Sequence, residues 1–317
     1  MSQAPSITVI VPYYNEQENL EYLLDQLDGQ TLQPSQVILV NSGSTDAGSA
    51  VIDDWISRHQ NQAVFTNLNA LTKTPGGSKS AGVVVAKTDL LAFMDCGLSF
   101  PLDWLQRQFE VMIASGADWV SGVCLTSGVN LVDKSAIAHT YGYERTRPVI
   151  PSSLVRRSVF DRIGLFKDLR AGYDAEWARA ADRAGLRREI NTDVVVQYRG
   201  VNFAADLRGV FMKSLHYARP SVGRDDTLVP YIYVATVLVA VFAALFVSPL
   251  IPIGLVLYAV ARVTIAWRKS EGLNFFVFSP LRLLALFTVG AVMDIGKLFG
   301  FASGLFARYV RGQTPIT

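Results

Sequence analysis

Cysteine and histidine are scarce in this chain of 317 residues. Its two cysteines are Cys96 and Cys124, and its three histidines are His59, His139 and His216. Two cysteines cannot build the disulfide framework of a small secreted protein, and they fit a reducing compartment. Three scattered histidines lack the close spacing of a zinc site. The composition therefore supports neither a disulfide-rich protein nor a histidine-based zinc protein.

Charge is missing from one long segment. Residues 228–261 contain no Asp, Glu, Lys or Arg. As one helix the segment would measure roughly 50 Å, against roughly 30 Å of membrane hydrocarbon. Because Pro249 and Pro252 interrupt it, the sequence predicts a hairpin of two membrane spans, about 229–247 and 250–267.

Basic residues predict the orientation of this hairpin. Its central turn carries no charge, whereas its far end is flanked by Arg262, Arg268, Lys269 and Arg282. The positive-inside rule therefore returns the chain to the cytoplasm. The N-terminus shows no signal-peptide pattern, so the first half is expected to stay in the cytoplasm as well.

The last apolar region, residues 283–306, leaves two interpretations open. Asp294 and Lys297 interrupt it and could pair at i,i+3 inside a third span. Arg308 and Arg311 follow at its end, where a cytoplasmic position suits them better. A re-entrant or interfacial segment is therefore the alternative to a third span.

The two parts of the chain differ in charge. Up to Asp226 there are 22 basic and 25 acidic residues, and after it there are 7 basic and 2 acidic. This division predicts an acidic domain at 1–226 and a basic membrane region at 227–317, with no support for nucleic-acid binding. Residues 207–219 predict an amphipathic juxtamembrane helix, either on the anionic leaflet or simply solvated.

Short apolar runs alternate with helical patterns in the first half. This rhythm predicts an α/β fold with a mostly parallel sheet covered by helices. The predicted strands are 7–11, 37–40, 63–66, 90–94 and 119–125. The predicted helices between them are 18–28, 46–58, 78–86 and 102–115.

Asp95 ends the apolar run Leu90–Met94. A carboxylate at the end of a buried strand is costly unless a ligand, a metal ion or a partner side chain satisfies it. Ligands of open α/β sheets bind at that end of the strands. We therefore expect the functional site around Asp95. Cys96 is interpreted as a small residue that fits there rather than as a nucleophile.

Six short segments stand in order between residues 11 and 176. They are Val11–Glu16, Val40–Asp46, Pro75–Gly82, Phe93–Gly97 with Pro101–Leu105, Arg156–Phe160 with Ile163–Phe166, and Gly172–Glu176. Each alone is weak, and by itself each of the first two is better explained as a helix cap or a capped loop. In this order they resemble family 2 of the inverting glycosyltransferases, whose patterns are V-P-x-Y-N-E, D-x-G-S-T-D, G-x-x-x-A-R-N-x-G, L-D-A-D…P-x-W-L, R-R-x-x-F…G-x-F-D-E and G-E-D-x-D.

The resemblance, which covers about residues 6–200, implies the GT-A fold, a Rossmann-like nucleotide-diphospho-sugar transferase fold, followed here by a transmembrane helical region. It also implies roles for individual residues. Asp174 would be the catalytic base, and Asp95 would hold Mg²⁺ or Mn²⁺ in a weak site. The nucleotide sugar would contact Pro12, Tyr14, Glu16, Asn41, Gly43, Asp46, Lys79 and Asp95. The acceptor side would include Glu176, Trp177 and Arg199.

Three residues depart from the family patterns. Asn41 stands in place of an acid, Tyr173 replaces the acid beside the expected base, and Gly97 replaces the second acid of D-x-D. One carboxylate makes a poor magnesium site unless phosphates and water complete the shell. The alternative is a metal-free site whose positive charge comes from Lys79, Arg156, Arg157 or Arg199.

By this resemblance we expect a multi-pass protein of a bacterial-type inner membrane, with a cytoplasmic catalytic domain. It would transfer one sugar from a nucleotide-diphosphate donor to a membrane-presented, lipid-linked or glycan acceptor, in contact with membrane lipids and without nucleic acid. The closest alternative is a polyprenyl-phosphate monosaccharide synthase. The alternative from another class is a catalytically degenerate GT-A domain that acts as a membrane scaffold.

Overall fold

Four parallel strands form one half of the sheet in the computed structural model, which describes residues 5–59, 63–223, 228, 231–236 and 250–311. They lie in the order β3-β2-β1-β4. Their bounds are β1 Ile7–Tyr13, β2 Gln36–Asn41, β3 Val64–Asn69 and β4 Leu90–Phe93. Helices α1 (Gln17–Asp28), α2 (Gly48–Arg58) and α3 (Pro75–Val85) connect them. The carboxyl ends of these strands therefore meet at one edge.

The second half of the sheet is mixed, which qualifies the prediction of a mostly parallel sheet. β8 is antiparallel to both β4 and β6, β9 is parallel to β6, and β5 is antiparallel to β9. The strands are β5 Leu98–Ser99, β6 Trp119–Thr126, β7 Arg145–Pro148, β8 Ser153–Arg156 and β9 Arg188–Tyr198. The helices are α4 Trp104–Ser115, α5 Leu131–His139, α6 Arg157–Ile163 and α7 Tyr173–Arg183.

The chain divides into two compact units. The first contains Met1–Leu125 and Thr146–Arg199, and the second contains Thr126–Arg145 and Gly200–Thr317. In the first unit, alternate residues of β1 pack into two different hydrophobic clusters, one on each face of the sheet. Val9 and Val11 belong to one cluster and Ile10 to the other. This is the alternation expected of a strand buried on both faces. Trp104 and Trp119 are core residues, as predicted.

The second unit is helical. It contains α5 together with α8 (Leu207–Ala218), α9 (Leu250–Lys269), α10 (Asn274–Val277) and α11 (Pro280–Tyr309). The buried carboxylate of Asp133 in α5 accepts hydrogen bonds from the backbone N–H groups of Val129, Asn202, Phe203 and Ala204, at 2.7–3.2 Å. These bonds fix the start of the long C-terminal segment to α5.

Three glycines let α11 pack closely on its neighbours. A Cβ atom at Gly296, Gly300 or Gly304 would lie 2.5–2.6 Å from the backbone oxygens of Phe211, Leu215 and Arg219 respectively. Only glycine permits this approach, which is typical of tightly packed helix pairs. The predicted amphipathic helix at 207–219 is therefore present as α8, and one of its faces is covered by α11.

A charged cluster lies between α9 and α11. Arg262 is buried, and its guanidinium contacts the carboxylate of Asp294 at 2.6 Å. The predicted i,i+3 pair is also present, with Lys297 Nζ 3.9 Å from Asp294. Arg262 was predicted to flank the hairpin as a positive-inside residue. Its guanidinium is paired inside the unit, which the sequence did not predict, and its role as a positive-inside residue stays a prediction.

Within the described residues, one helix is long and apolar enough to cross a membrane, Pro280–Tyr309. The first predicted span, 229–247, lies mostly outside the described residues, and the second corresponds to α9. The predicted boundary at residue 226 separates a cytoplasmic domain from a membrane region. The division into two compact units does not test it. It stays a prediction.

Candidate active site

The loops that follow β1 and β2 are joined by hydrogen bonds. The backbone N–H of Asn15 donates to Ser44 Oγ at 3.0 Å, and the backbone N–H of Thr45 donates to Asn15 Oδ1 at 2.8 Å. Asn15 adopts φ 54°, a left-handed conformation that asparagine tolerates better than most residues. The two loops therefore form one polar surface at the carboxyl edge of the sheet.

Asn41 shapes the second of these loops. Its Oδ1 accepts hydrogen bonds from the backbone N–H groups of Gly43 at 3.0 Å and Ser44 at 2.7 Å. Its Nδ2 donates to Ser49 at 3.0 Å. Gly43 has φ 86°, which favours glycine, and a Cβ there would lie 3.6 Å from Lys73 Cε. Asn41 thus acts first as a turn former, and Lys73 is a cation beside this loop that the sequence motifs did not single out.

Two carboxylates follow the loops. Asp46 accepts from the backbone N–H of Gln17 at 2.9 Å and of Gly48 at 3.1 Å, so it caps the starts of α1 and α2. Glu16 accepts from Asn19 Nδ2 at 2.7 Å. Burial raises the pKa of Glu16 above its ordinary value, and the charges of Asp95 and Asp46 act in the same direction, against the Asn19 hydrogen bond.

Asp95 is paired with Lys79. The Lys79 ammonium donates to Asp95 Oδ1; the lysine side chain is fully buried, whereas that of Asp95 is 27% exposed. The ring centre of Tyr173 lies 5.7 Å from Lys79 Nζ. Asp95 lies two residues after the end of β4, close to the strand end that the sequence predicts, and its carboxylate already has a cationic partner inside the protein.

Helix α3 presents Lys79 because its first turn is tightly fixed. The Thr74 hydroxyl accepts from the backbone N–H of Gly77 at 3.1 Å, and it donates to Asp168. A Cβ atom at Gly76 would lie 2.2 Å from the carbonyl oxygen of Lys167. The Pro75–Gly76–Gly77 start of the helix is therefore needed for close packing against the loop after α6.

Asp174 and Tyr173 begin α7. The Asp174 carboxylate accepts from the backbone N–H of Ala175 at 2.8 Å. Burial raises the pKa of the Tyr173 hydroxyl well above its ordinary value, and the charges of Asp95 and then Asp174 raise it further. Tyr173 therefore stands within the electrostatic reach of both carboxylates, and it remains protonated at neutral pH.

Gly97 lies in a tight turn opposite Glu16. Its φ is 82°, and a Cβ atom there would lie 3.7 Å from Glu16 Oε2. Its carbonyl oxygen accepts from the backbone N–H of Arg199 at 2.9 Å, and the Arg199 guanidinium lies 3.5 Å from the ring centre of Tyr22. The position of the missing second acid is therefore occupied by a backbone turn.

The residue pattern of Glycosyl transferase family 2 matches residues 8–193, more than half of the chain. The chain belongs to glycosyl transferase family 2. As a glycosyltransferase of this family, it is 26% identical over 210 residues to Glycosyltransferase AglE of Haloferax volcanii, a match covering 61% of this chain and 67% of AglE. It is 24% identical to Putative glycosyltransferase EpsH of Bacillus subtilis, over 44% of this chain and 40% of EpsH.

The fold of this glycosyltransferase is GT-A-like. It is similar to the structure of the mannosyltransferase PcManGT from Pyrobaculum calidifontis in complex with GDP-Man and Mn²⁺, with a TM-score of 0.54 and 18% identity. The match covers 97% of this chain and 89% of that one. At this identity the likeness speaks for the fold alone.

The eight predicted nucleotide-sugar residues lie at the carboxyl edge of the glycosyltransferase sheet, seven in β1, β2 or the loops after β1, β2 and β4, and Lys79 on α3, where it reaches Asp95. They are Pro12, Tyr14, Glu16, Asn41, Gly43, Asp46, Lys79 and Asp95. Their contacts with a donor stay predictions. Cys96 is buried, which raises the pKa of its thiol, so its interpretation as a packing residue agrees with its surroundings.

One predicted acceptor-side residue is buried. Trp177 is 3% exposed and packs against Phe166, Phe160 and Trp119 at ring-centre distances of 4.9–5.2 Å. Its ring therefore lies in the aromatic core. Glu176 is paired with Lys167. The places of Glu176, Trp177 and Arg199 beside an acceptor stay predictions.

The residues around Asp95 do not fit a divalent cation. Among the described residues, no three His, Cys, Asp or Glu side chains are grouped so that they could hold a metal ion. The Asp95 carboxylate is neutralised by Lys79, and Gly97 offers no second oxygen ligand. Hard cations such as Mg²⁺ take several oxygen ligands. The predicted Mg²⁺ or Mn²⁺ at Asp95 stays a prediction.

Proposed function

We propose that this glycosyltransferase moves one sugar from a nucleotide-diphosphate donor to a lipid-linked acceptor, with inversion at the anomeric carbon, in glycan synthesis at a membrane. The observation that carries the proposal is the place of two carboxylates: Asp95, after β4, pairs with Lys79, and the ring of Tyr173, the residue before Asp174 in the first turn of α7, lies 5.7 Å from the same ammonium. One carboxylate stands at the predicted diphosphate side and the other at the predicted acceptor side.

The proposed step is a direct displacement. The acceptor hydroxyl gives its proton to Asp174, and its oxygen forms a bond to the anomeric carbon of the donor sugar. The bond from that carbon to the diphosphate oxygen breaks, and its electron pair leaves on the nucleoside diphosphate. Inversion requires the base to stand on the face opposite the leaving group, which the separate positions of Asp174 and Asp95 support.

Helix α11 supports association with a membrane. Its exposed apolar residues recur on one face, and they are Leu281, Leu284, Ile295, Phe299 and Phe306. Its opposite face packs on α5 and on the basic helix α8. A helix with one face on protein and one apolar face exposed suits the interface of a bilayer. We propose the interfacial arrangement over a third span, in keeping with the basic excess after residue 226.

The test is a transfer assay with the full-length protein in vesicles that contain polyprenyl-linked saccharide acceptors. UDP-, GDP- and TDP-sugars serve as donors, and the product is the acceptor extended by one sugar. Asp174→Asn should lower turnover by about 10²–10⁴-fold and leave donor binding within about twofold, because only the base is lost. Asp182→Asn, exposed on the same helix, is the matched control.

Other outcomes separate the alternatives. Transfer to free polyprenyl phosphate alone would favour the monosaccharide synthase. Donor binding without transfer or hydrolysis would favour the scaffold. A cysteine placed just after α11, in Arg311→Cys, separates the two arrangements of this helix: labelling by an impermeant thiol reagent from the side of the catalytic domain would support the interfacial helix, and labelling from the opposite side alone would oppose it.

A further inference from the structure

Lys79 carries the one ammonium group, among the described residues, that contacts the Asp95 carboxylate. Its side chain is fully buried, and its neighbours at the charged end are Asp95 and the ring of Tyr173 at 5.7 Å. A buried ammonium needs a counter-charge, which Asp95 supplies, and an aromatic face stabilises it further. The charge of Lys79 is therefore held in place before any ligand arrives.

Two of the other cations considered for this role are engaged elsewhere, and the guanidinium of a third, Arg199, lies over the ring of Tyr22. Arg157 donates to the carbonyl oxygens of Val83, Ala86 and Thr88, and Arg156 donates to that of Ala117. In addition, Arg156 pairs with Leu90 at the start of β4, whereas Asp95 follows the end of that strand. Neither arginine can therefore neutralise a diphosphate beside Asp95.

Two of the three departures from the family patterns lie close to Asp95 and Lys79. Gly97 and Tyr173 each stand where the patterns have a carboxylate. Together they remove two negative charges, which is the charge of one divalent cation. Tyr173 also gives Lys79 an aromatic neighbour where a carboxylate would have competed with Asp95 for the ammonium. Both departures favour a site whose charge balance needs no metal ion.

We infer that the Lys79 ammonium takes the electrostatic place of a divalent cation in this site, so that a nucleoside diphosphate binds and leaves without a metal ion. The inference rests on the proposed function, because it assigns the diphosphate to the Asp95 side. Lys79 acts through its pairing with Asp95: it removes the repulsion between that carboxylate and the diphosphate, and its field favours the negative charge that develops on the leaving oxygen. It is a positioning and charge-balancing residue.

The experiment measures the binding of UDP, GDP and TDP to the full-length protein in detergent by isothermal titration calorimetry, with EDTA or with Mn²⁺. Wild type should bind one nucleotide with affinities that agree within about twofold in the two buffers. Lys79→Met should bind about 30-fold more weakly in EDTA, since a charged interaction is lost. Adding Mn²⁺ should strengthen nucleotide binding by Lys79→Met at least about tenfold, because in this variant Asp95 is free to act as an oxygen ligand.

Two variants control for structural damage. Lys79→Arg keeps the charge and should bind in EDTA within about fivefold of wild type. Lys87→Met lies on the exposed surface just after the same helix and should behave as wild type. If Lys79 only supported the fold, replacing it would not make nucleotide binding depend on Mn²⁺. A Mn²⁺ dependence that appears in Lys79→Met therefore distinguishes the electrostatic role.

Three results would overturn the inference. The first is wild-type binding that falls more than about tenfold in EDTA, which would leave the proposed function standing with a metal ion. The second is Lys79→Met binding equal to wild type in EDTA. The third is no binding of UDP, GDP or TDP in either buffer, which would reject the proposed function together with the inference.

Discussion

The carboxyl edge of the sheet has two polar sides that are stabilised differently. The loop side consists of residues 14–16 and 41–46, where side-chain oxygens accept hydrogen bonds from backbone N–H groups. The ion-pair side consists of Lys79, Asp95 and Tyr173, where a buried ammonium meets one carboxylate. The stability of the loop side depends on where its acceptor atoms lie, and the stability of the ion-pair side depends on charge.

This difference bears on what each side can do for a ligand. Hydrogen-bonded loops fix a shape without large desolvation costs, which suits the recognition of a neutral ring. A desolvated ion pair holds a charge ready, which suits a leaving group that becomes more negative. Substitutions that remove charge but keep shape should therefore separate the two sides.

The largest expected effect is that of Asp95→Asn. The variant keeps the shape of the side chain but leaves the buried Lys79 ammonium uncompensated. The free energy of unfolding should fall by about 2–4 kcal/mol, below the full cost of a broken buried pair because Asp95 is partly exposed. The measurement is denaturant unfolding of the full-length protein, followed by tryptophan fluorescence.

Asp46→Asn is the matched control from the loop side. An asparagine can still accept one of the two backbone N–H bonds, so the loss should be about 1 kcal/mol or less. Equal losses for the two variants would contradict the distinction between a geometric side and a charged side. Lys79→Met should destabilise less than Asp95→Asn, because the carboxylate it leaves behind can reach water.

An intermediate effect is expected at Asn41. Asn41→Ala removes the oxygen that accepts from the backbone N–H groups of Gly43 and Ser44, and it should cost about 1–2 kcal/mol of unfolding free energy. Asn41→Asp keeps that oxygen and should retain most of the stability. If Asn41→Asp were as unstable as Asn41→Ala, the bond to Ser49 rather than the turn would be the dominant contact.

Much of the first unit could be predicted from the sequence, because buried parallel strands are continuous apolar runs. The predicted strand 37–40 is observed as Gln36–Asn41, and the predicted helix 102–115 as Trp104–Ser115. The segment after β6 gave no such signal. Helix α5 is short and buried on most sides, and β7, with the sequence Arg-Thr-Arg-Pro, is polar. Neither has the periodicity that reveals an element.

The candidate site was predictable where strand ends carry polar residues, and less so where side chains meet across the fold. Lys79 and Asp95 are 16 positions apart, and only the structure pairs them. Trp177 was assigned to the acceptor side because it follows Asp174 in a motif, and no local pattern reveals that its ring packs against Phe160 and Phe166. Likewise, the burial of Arg262 depends on Asp294, which no local pattern links to it.

The smallest expected effect concerns Glu16, a residue of the loop side whose carboxylate also feels the charge of Asp95. Burial raises its pKa above the ordinary 4.5, so the folded protein holds this proton more tightly than the unfolded chain does. The free energy of unfolding should therefore fall as the pH rises from the pKa of Glu16 in the unfolded chain to its higher pKa in the folded protein. The loss persists at neutral pH. Glu16→Gln keeps an oxygen for Asn19 and should raise the Tm at pH 7 by about 2 °C or less.

That stabilisation should shrink at pH 4, where the Glu16 carboxyl is largely protonated in both states. The measurement is thermal unfolding of wild type and variant at both pH values. Glu18→Gln, exposed on the same helix, should change the Tm at neither pH. A gain from Glu16→Gln that is equal at pH 4 and pH 7 would show that charge at Glu16 is irrelevant, and it would place this residue with the geometric contacts of the loop side.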